Sequence, residues 1–260
     1  MTSAQRMLLG ALALTGVALS TLGGCGLFSG PRLAPPTRIA SPYDTSRGDV
    51  VWAIAPPRDE SGTTASDTEA VGDALIAAAS GVEGISVLPL NRSIRAMRAL
   101  GLANVTNPSE AQQLASVLGA DAVIVPTLTA WDPYDPPAIG LNVALFAAPG
   151  RLRGDDPTLD DTRLFQLQAT EGNETLGPRD ATRPSSATSD VYDARDHGTL
   201  MALRRYAEGR TELDDPLGWR VYLKSMPLYT AFSAHQSVGS LLDEEWLRLA
   251  RARNADRRDR

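Results

Sequence analysis

The side chains able to do chemistry are few in this chain. It has one cysteine, Cys25, and two histidines, His197 and His235. A lone thiol cannot close an internal disulfide. His197 ends Tyr192-Asp193-Ala194-Arg195-Asp196-His197, a run that has the residue types of a metal cluster. Zinc needs three or more ligands converging from defined spacings, and no second group of His or Cys exists, so no metal and no cofactor is expected. His235 falls on an amphipathic pattern three residues after Phe232, where a core-edge or surface histidine is the expectation instead of a catalytic base. Asp155-Asp156 and Asp160-Asp161 lack the glycine turn and glutamate spacing of a calcium loop. Phosphate-cradling glycine loops and the Gly-x-Ser-x-Gly nucleophile turn are absent too. Asn173-Glu174-Thr175 is a formal glycosylation sequon in a polar stretch. One loop stands out: Trp131-Asp132-Pro133-Tyr134-Asp135-Pro136-Pro137 puts two aromatics and two carboxylates on a proline-stiffened segment. Trp131, Asp132, Tyr134 and Asp135 are therefore candidate partner contacts. The alternative is a stiff turn whose aromatics simply cover a sheet edge.

The setting of Cys25 gives it a second meaning. Arg6 is the one charge of the N-terminal stretch, and Met7 to Leu19 run almost wholly in Leu, Ala, Val and Gly. An apolar run of about 13 residues is shorter than the roughly 20 helical residues that span a hydrocarbon core, which favours a cleaved export signal over a transmembrane helix. It ends in Leu22-Gly23-Gly24-Cys25. This resembles the lipobox of bacterial lipoproteins: an aliphatic residue, two small residues, then the cysteine that takes a thioether-linked diacylglycerol. The resemblance implies cleavage after Gly24, acylation of Cys25 and membrane attachment through lipid, each buried CH₂ adding about 0.8 kcal/mol. An ordinary signal peptide with a chance cysteine is the other reading. Gly26 follows, and resemblance to proteobacterial lipoproteins, where Asp at that position favours the inner membrane, implies the periplasmic face of the outer membrane.

Removal of residues 1–24, which hold Arg6 and no acid, leaves 236 residues with a net charge near −7. Such a balance excludes nucleic acid as the expected partner. The elements follow from patterning. Residues 25–47 are a Gly-, Pro- and Ser-rich tether after the acylated cysteine, and 48–148 an α/β core. Within it Asp49 to Ala55 reads as a buried strand closed by Pro56-Pro57. Ser66-Asp67-Thr68-Glu69 has capping-box form before a helix with Val71, Leu75 and Ala78 inward. Ile85 to Leu90 predicts a second strand, and Asn91 a cap for the helix carrying Ile94, Met97 and Leu100. Asn107-Pro108-Ser109-Glu110 starts a third helix. Ala122 to Leu128 predicts a central strand ending near Pro126, and Ile139, Leu141, Val143 and Leu145 alternate as a neighbouring strand.

Residues 149–190 interrupt the pattern as an irregular insertion, with 176–190 expected to be disordered and Leu164 to Ala169 its one strand-like stretch. Residues 191–253 read as C-terminal helices, one over Asp193 to Glu208, another from Asp215-Pro216, and a last one renewed at Pro227 with Leu228, Phe232, His235, Val238, Leu242, Trp246 and Leu249 on its stripe. A charged tail, 254–260, ends the chain. The fold class is α/β, with α+β as the alternative: a small mixed sheet with flanking helices and the C-terminal helices packed on it.

Residues 49–130 also resemble the amino-terminal α/β domain shared by the curli-secretion-channel lipoproteins, the penicillin-binding-protein-activator lipoproteins and TolB. The likeness rests on Val50 to Arg58, Val87 to Arg92, and Ser109 through Leu118-Gly119-Ala120-Asp121 into Ala122-Val123-Ile124-Val125-Pro126-Thr127. It implies a lipid-anchored envelope component that acts by contact, on an envelope protein or on itself, and not an enzyme. No strand pair is long and amphipathic enough for a pore, so channel activity does not carry over. The competing reading is a cell-wall or glycan hydrolase using Asp132 and Asp135, but residues three apart on one loop seldom hold carboxyls across a cleft at about 5 to 9 Å.

Overall fold

The computed structural model describes residues 39–152, 154, 183–211 and 216–258. The expected export signal, Leu22, Gly23, Gly24, Cys25, most of the expected tether, both paired-aspartate stretches, the 164–169 stretch, Asn173 and Asp215 lie outside the described residues.

The chain is α/β, built on a mixed sheet. Its strands are β1 (Ile39–Ala40), β2 (Val50–Ile54), β3 (Arg58–Asp59), β4 (Val82–Glu83), β5 (Ile85–Val87), β6 (Ala122–Asp132), β7 (Ala138–Ala147) and β8 (Ser186–Asp193). Its helices are α1 (Thr68–Ser80), α2 (Leu90–Leu100), α3 (Pro108–Leu118), α4 (His197–Ala207), α5 (Val221–Lys224), preceded by a 3-10 turn at Gly218–Arg220, and α6 (Met226–Arg258). The main sheet runs β5-β2-β6-β7-β8, with β3 continuing beside β6 where β2 stops. β5, β2 and β6 are parallel, and β7 and β8 add antiparallel. β1 and β4 form a separate parallel pair.

Parallel strands need cover on both faces, and β2 and β6 have it. Ala53, Ala55 and Val123 pack under α2 and α3 with Met97, Ala111, Leu114 and Leu118. Trp52, Ile54, Ile124, Leu128, Ile139, Leu141 and Leu145 face the other way, against α1, α4 and α6. Full burial of each such Leu or Ile contributes about 1.5–3 kcal/mol relative to exposure. α6 supplies much of that layer through Tyr229, Phe232, Val238, Leu241, Leu242 and Leu249. At 33 residues it is about 50 Å long. Among the described residues no helix is long and apolar enough to cross a membrane.

Several expectations change in detail. The cap of α1 is Asp67, whose side chain accepts from the Ala70 N–H at 2.9 Å, while the Ser66 hydroxyl donates to Asp59 instead. α2 begins at Leu90 behind Pro89, without a side-chain cap, because burying Leu90 draws it into the helix and leaves Asn91 exposed on the first turn. α3 keeps its expected cap, Asn107, which accepts from the Glu110 N–H.

β6 runs straight through Pro126 to Asp132. The Ala55 N–H donates to the Ile124 carbonyl and the Glu60 N–H to that of Leu128, so residues 124, 126 and 128 direct their backbones to the same side. Pro126 thus meets the gap between β2 and β3, where Pro56-Pro57 breaks the neighbouring chain and no N–H is needed.

Residues 186–190, assigned from composition to an irregular segment, form the first part of β8. Small polar side chains hide this strand in the sequence. Ser186 and Tyr192 are buried toward α6, whereas Ala187, Ser189 and Val191 are exposed on the opposite face. Pro227 restarts the helix as the second residue of α6, where an amide would have no partner.

Candidate functional site

The loop 131–137 leaves the far end of β6, and a β-bulge aims it. The β6–β7 register shifts between Leu128 and Ala130, so Thr129 has no partner opposite. Gly140 allows this: a Cβ there would lie 2.5 Å from Thr129 Oγ1 and 3.0 Å from the Ala130 nitrogen. A bulge bends its strand and turns the following side chains.

Beyond it the four candidate residues divide. Trp131 is half-buried against the α6-side core, with its Nε1 finding no acceptor among the described residues. That is the sheet-covering role. Tyr134 is 79% exposed at the loop tip. Asp132 accepts the Tyr134 N–H at 3.1 Å and pairs with Arg195 at 3.2 Å. Asp135 pairs with Lys224 of α5. Arg195 lies in the turn between β8 and α4, where its own N–H donates to Asp193 and the Ala194 N–H donates to the Pro137 carbonyl at 3.0 Å. The Asp132 hydrogen bond, then the Asp193 charge, hold the Arg195 guanidinium above its ordinary pKa. Two cations from two elements therefore brace one loop, and its free end is an aromatic ring.

Asp132 and Asp135 are thus each engaged by a cation and partly exposed.

The histidines have structural settings. His197 is exposed in the first turn of α4, and Asp196 caps that helix by accepting the Thr199 N–H at 2.7 Å. Asp193 is taken up by Arg195. Among the described residues no three His, Cys, Asp or Glu side chains could hold a metal ion. His235 is half-buried on α6, its ring centroid 4.9 Å from that of Tyr206. Burial, then the Arg210 charge, hold it below its ordinary pKa.

A polar network went unread in the sequence. Glu245 of α6 is fully buried and accepts from Tyr43 at 3.0 Å, from Ser186, and from Arg248 through two bonds of 2.7 Å. Burial, then the Glu245 charge, push the Tyr43 hydroxyl well above its ordinary pKa. The signal was present: Glu245 lies three residues after Leu242 and four before Leu249, in the apolar stripe assigned to Trp246. Trp246 is only half-buried. The network's members satisfy one another, which marks a fastening and not a reaction centre.

No protein-family model and no curated protein matches this chain. Solved structures similar to it include the LpoB C-terminal domain from Salmonella enterica, 16% identical over 42% of this chain and 74% of that one, with a TM-score of 0.32. Lipoprotein GNA1162 from Neisseria meningitidis is 15% identical over 59% of this chain and 92% of that one, TM-score 0.33. The hypothetical protein CT253 from Chlamydia trachomatis is 10% identical over 75% and 98%, TM-score 0.39.

Proposed function

We propose that this chain is a lipid-anchored, non-enzymatic component of a bacterial envelope that works by contact. Residues 1–24 serve export, Cys25 carries the lipid, and the following tether holds the α/β body on the periplasmic side of the outer membrane. Its contact surface is the loop Trp131 to Pro137, and its partner is an envelope protein or a second copy of the chain.

One observation carries the contact reading: Tyr134 is 79% exposed on a loop fixed from both sides by Asp132–Arg195 and Asp135–Lys224. A large ring on a loop whose backbone is already fixed costs less ordering on binding than one on a mobile loop, which favours it as a contact residue. The anchor reading rests on Leu22-Gly23-Gly24-Cys25 after an apolar run too short to span.

Two experiments test these readings. An alkyne-tagged fatty acid fed to expressing cells should label the wild type and not Cys25→Ser; equal labelling of both ends the anchor reading. A photo-crosslinking residue at position 134 should give a discrete adduct in cells, at twice the chain's mass if the partner is a second copy. Absence of any adduct at 134 ends the contact reading.

A further inference from the structure

Helix α2 buries Leu90, Ser93, Ala96 and Met97 and exposes Asn91, Arg92, Arg95, Arg98 and Ala99. Steps of three along a helix keep successive side chains on one side, so Arg92, Arg95 and Arg98 form a ridge about 9 Å long. The helix holds no Asp or Glu. Among the described residues none of the three arginines forms an ion pair. The three cations stand close together although the whole chain is acidic, with a net charge of −6.

Helix stability does not account for the ridge. Arg98 lies in the last turn, where a cation complements the helix dipole. Arg92 lies in the first turn, where a cation opposes it and no acid compensates. Packing does not account for it either, since all three side chains are exposed.

The geometry points to a docking face for anionic phospholipid headgroups on the membrane that carries the chain. Guanidinium forks match phosphate oxygens, and an anionic leaflet attracts basic side chains that come within about a Debye length, ~10 Å at 0.1 M salt. Three charges are too few to hold a free protein on a bilayer. They suffice for an anchored one, because the 13 residues between Cys25 and Ile39 span at most about 45 Å and keep the body at high local concentration beside the headgroups. The inference thus rests on the lipid-anchor reading. It adds that the anchored body lies α2-side down.

The lipidated full chain provides the test. With Cys25 blocked by lipid, Ala99→Cys supplies a single free thiol beside the ridge for an environment-sensitive fluorophore. The chain is reconstituted into vesicles of phosphatidylcholine alone or mixed with phosphatidylglycerol. Emission should shift to the blue with phosphatidylglycerol, return on adding salt, vanish when all three arginines are changed to Gln, and persist when they are changed to Lys. Equal emission on both vesicles, including a response only to an acidic protein, overturns the inference. A blue shift that survives the Gln changes overturns it as well. Flotation of the same samples separates the two readings: a chain that floats with a silent probe leaves the anchor standing and removes only the docking face, whereas one that fails to float removes both.

Discussion

The Tyr43 hydroxyl donates to the Glu245 carboxylate at 3.0 Å, across 202 positions of sequence. One bond thus ties the segment entering the fold to the helix that ends it. Tyr43 also meets the Trp52 ring edge-on at 6.1 Å, which carries the tie into the central sheet. A buried carboxylate is tolerable only when its charge and lone pairs are met, and here Arg248, Tyr43 and Ser186 meet them together.

Removing one partner from this network should cost more than its single bond. Arg248→Ala strands a buried charge and is expected to destabilise by about 3–5 kcal/mol. Tyr43→Phe removes one hydrogen bond to a charged group and should cost about 1.5–3 kcal/mol. Urea unfolding checks both, and an Arg248→Ala change as mild as a surface substitution would contradict the network's role.

His235 should make the fold acid-sensitive. Its folded pKa lies below the ordinary 6.5, so the unfolded state binds the proton more readily. Its contribution is therefore fully present above about pH 6.5 and is lost as pH falls through that value toward the lower folded pKa. His235→Gln should flatten the unfolding free energy between pH 7 and pH 5, roughly the range where a histidine titrates. An unchanged slope refutes this.

Gly140→Ala should disturb the loop as well as the sheet. The added methyl meets Thr129 and the Ala130 backbone inside ordinary contact distance, an overpacking expected to cost about 1–3 kcal/mol. Because Trp131 follows immediately, amide exchange in residues 131–137 should quicken. Retention of wild-type exchange in that loop would show that the bulge does not position it.

Ending the chain after Ser225 should uncover the α6-side layer. Leu141 and Leu145 of β7 and Tyr192 of β8 lose part of their cover, so the truncated chain should bind a hydrophobic dye or precipitate. A soluble product that unfolds cooperatively would mean that α6 is not integral to the core.

Elements with strong periods and local caps were legible in the sequence. α3 announced itself by Asn107-Pro108 and its Ala111, Leu114, Leu118 stripe, and β7 by the alternation of Ile139 to Leu145. β8 was not, because Ser186, Thr188 and Ser189 resemble linker residues and become strand only against β7 and α6. The path of β6 through Pro126 depended on where β2 stops, a nonlocal fact. At the candidate site the proline-stiffened loop was legible, but Arg195 and Lys224, which brace it from 63 and 89 positions away, carried no local mark. Glu245 was hidden for the opposite reason: a charge on an apolar stripe reads as the stripe's edge until its partners are in place.

The two faces of the sheet close at different times as the chain emerges from its N-terminus. Every residue of the layer under α2 and α3 comes from positions 51–146, so that face can condense once β7 is available. The layer on the other face is begun by Val71, Leu75 and Ala79 of α1 and completed only by Tyr229 to Leu249. A chain still being delivered therefore presents a half-finished sheet with one sticky side, and keeps it until nearly its last turn of helix arrives. Full cover of β7 and β8 on this face is accordingly a late event in folding, and any step that must act on an incompletely folded chain has that whole interval in which to act.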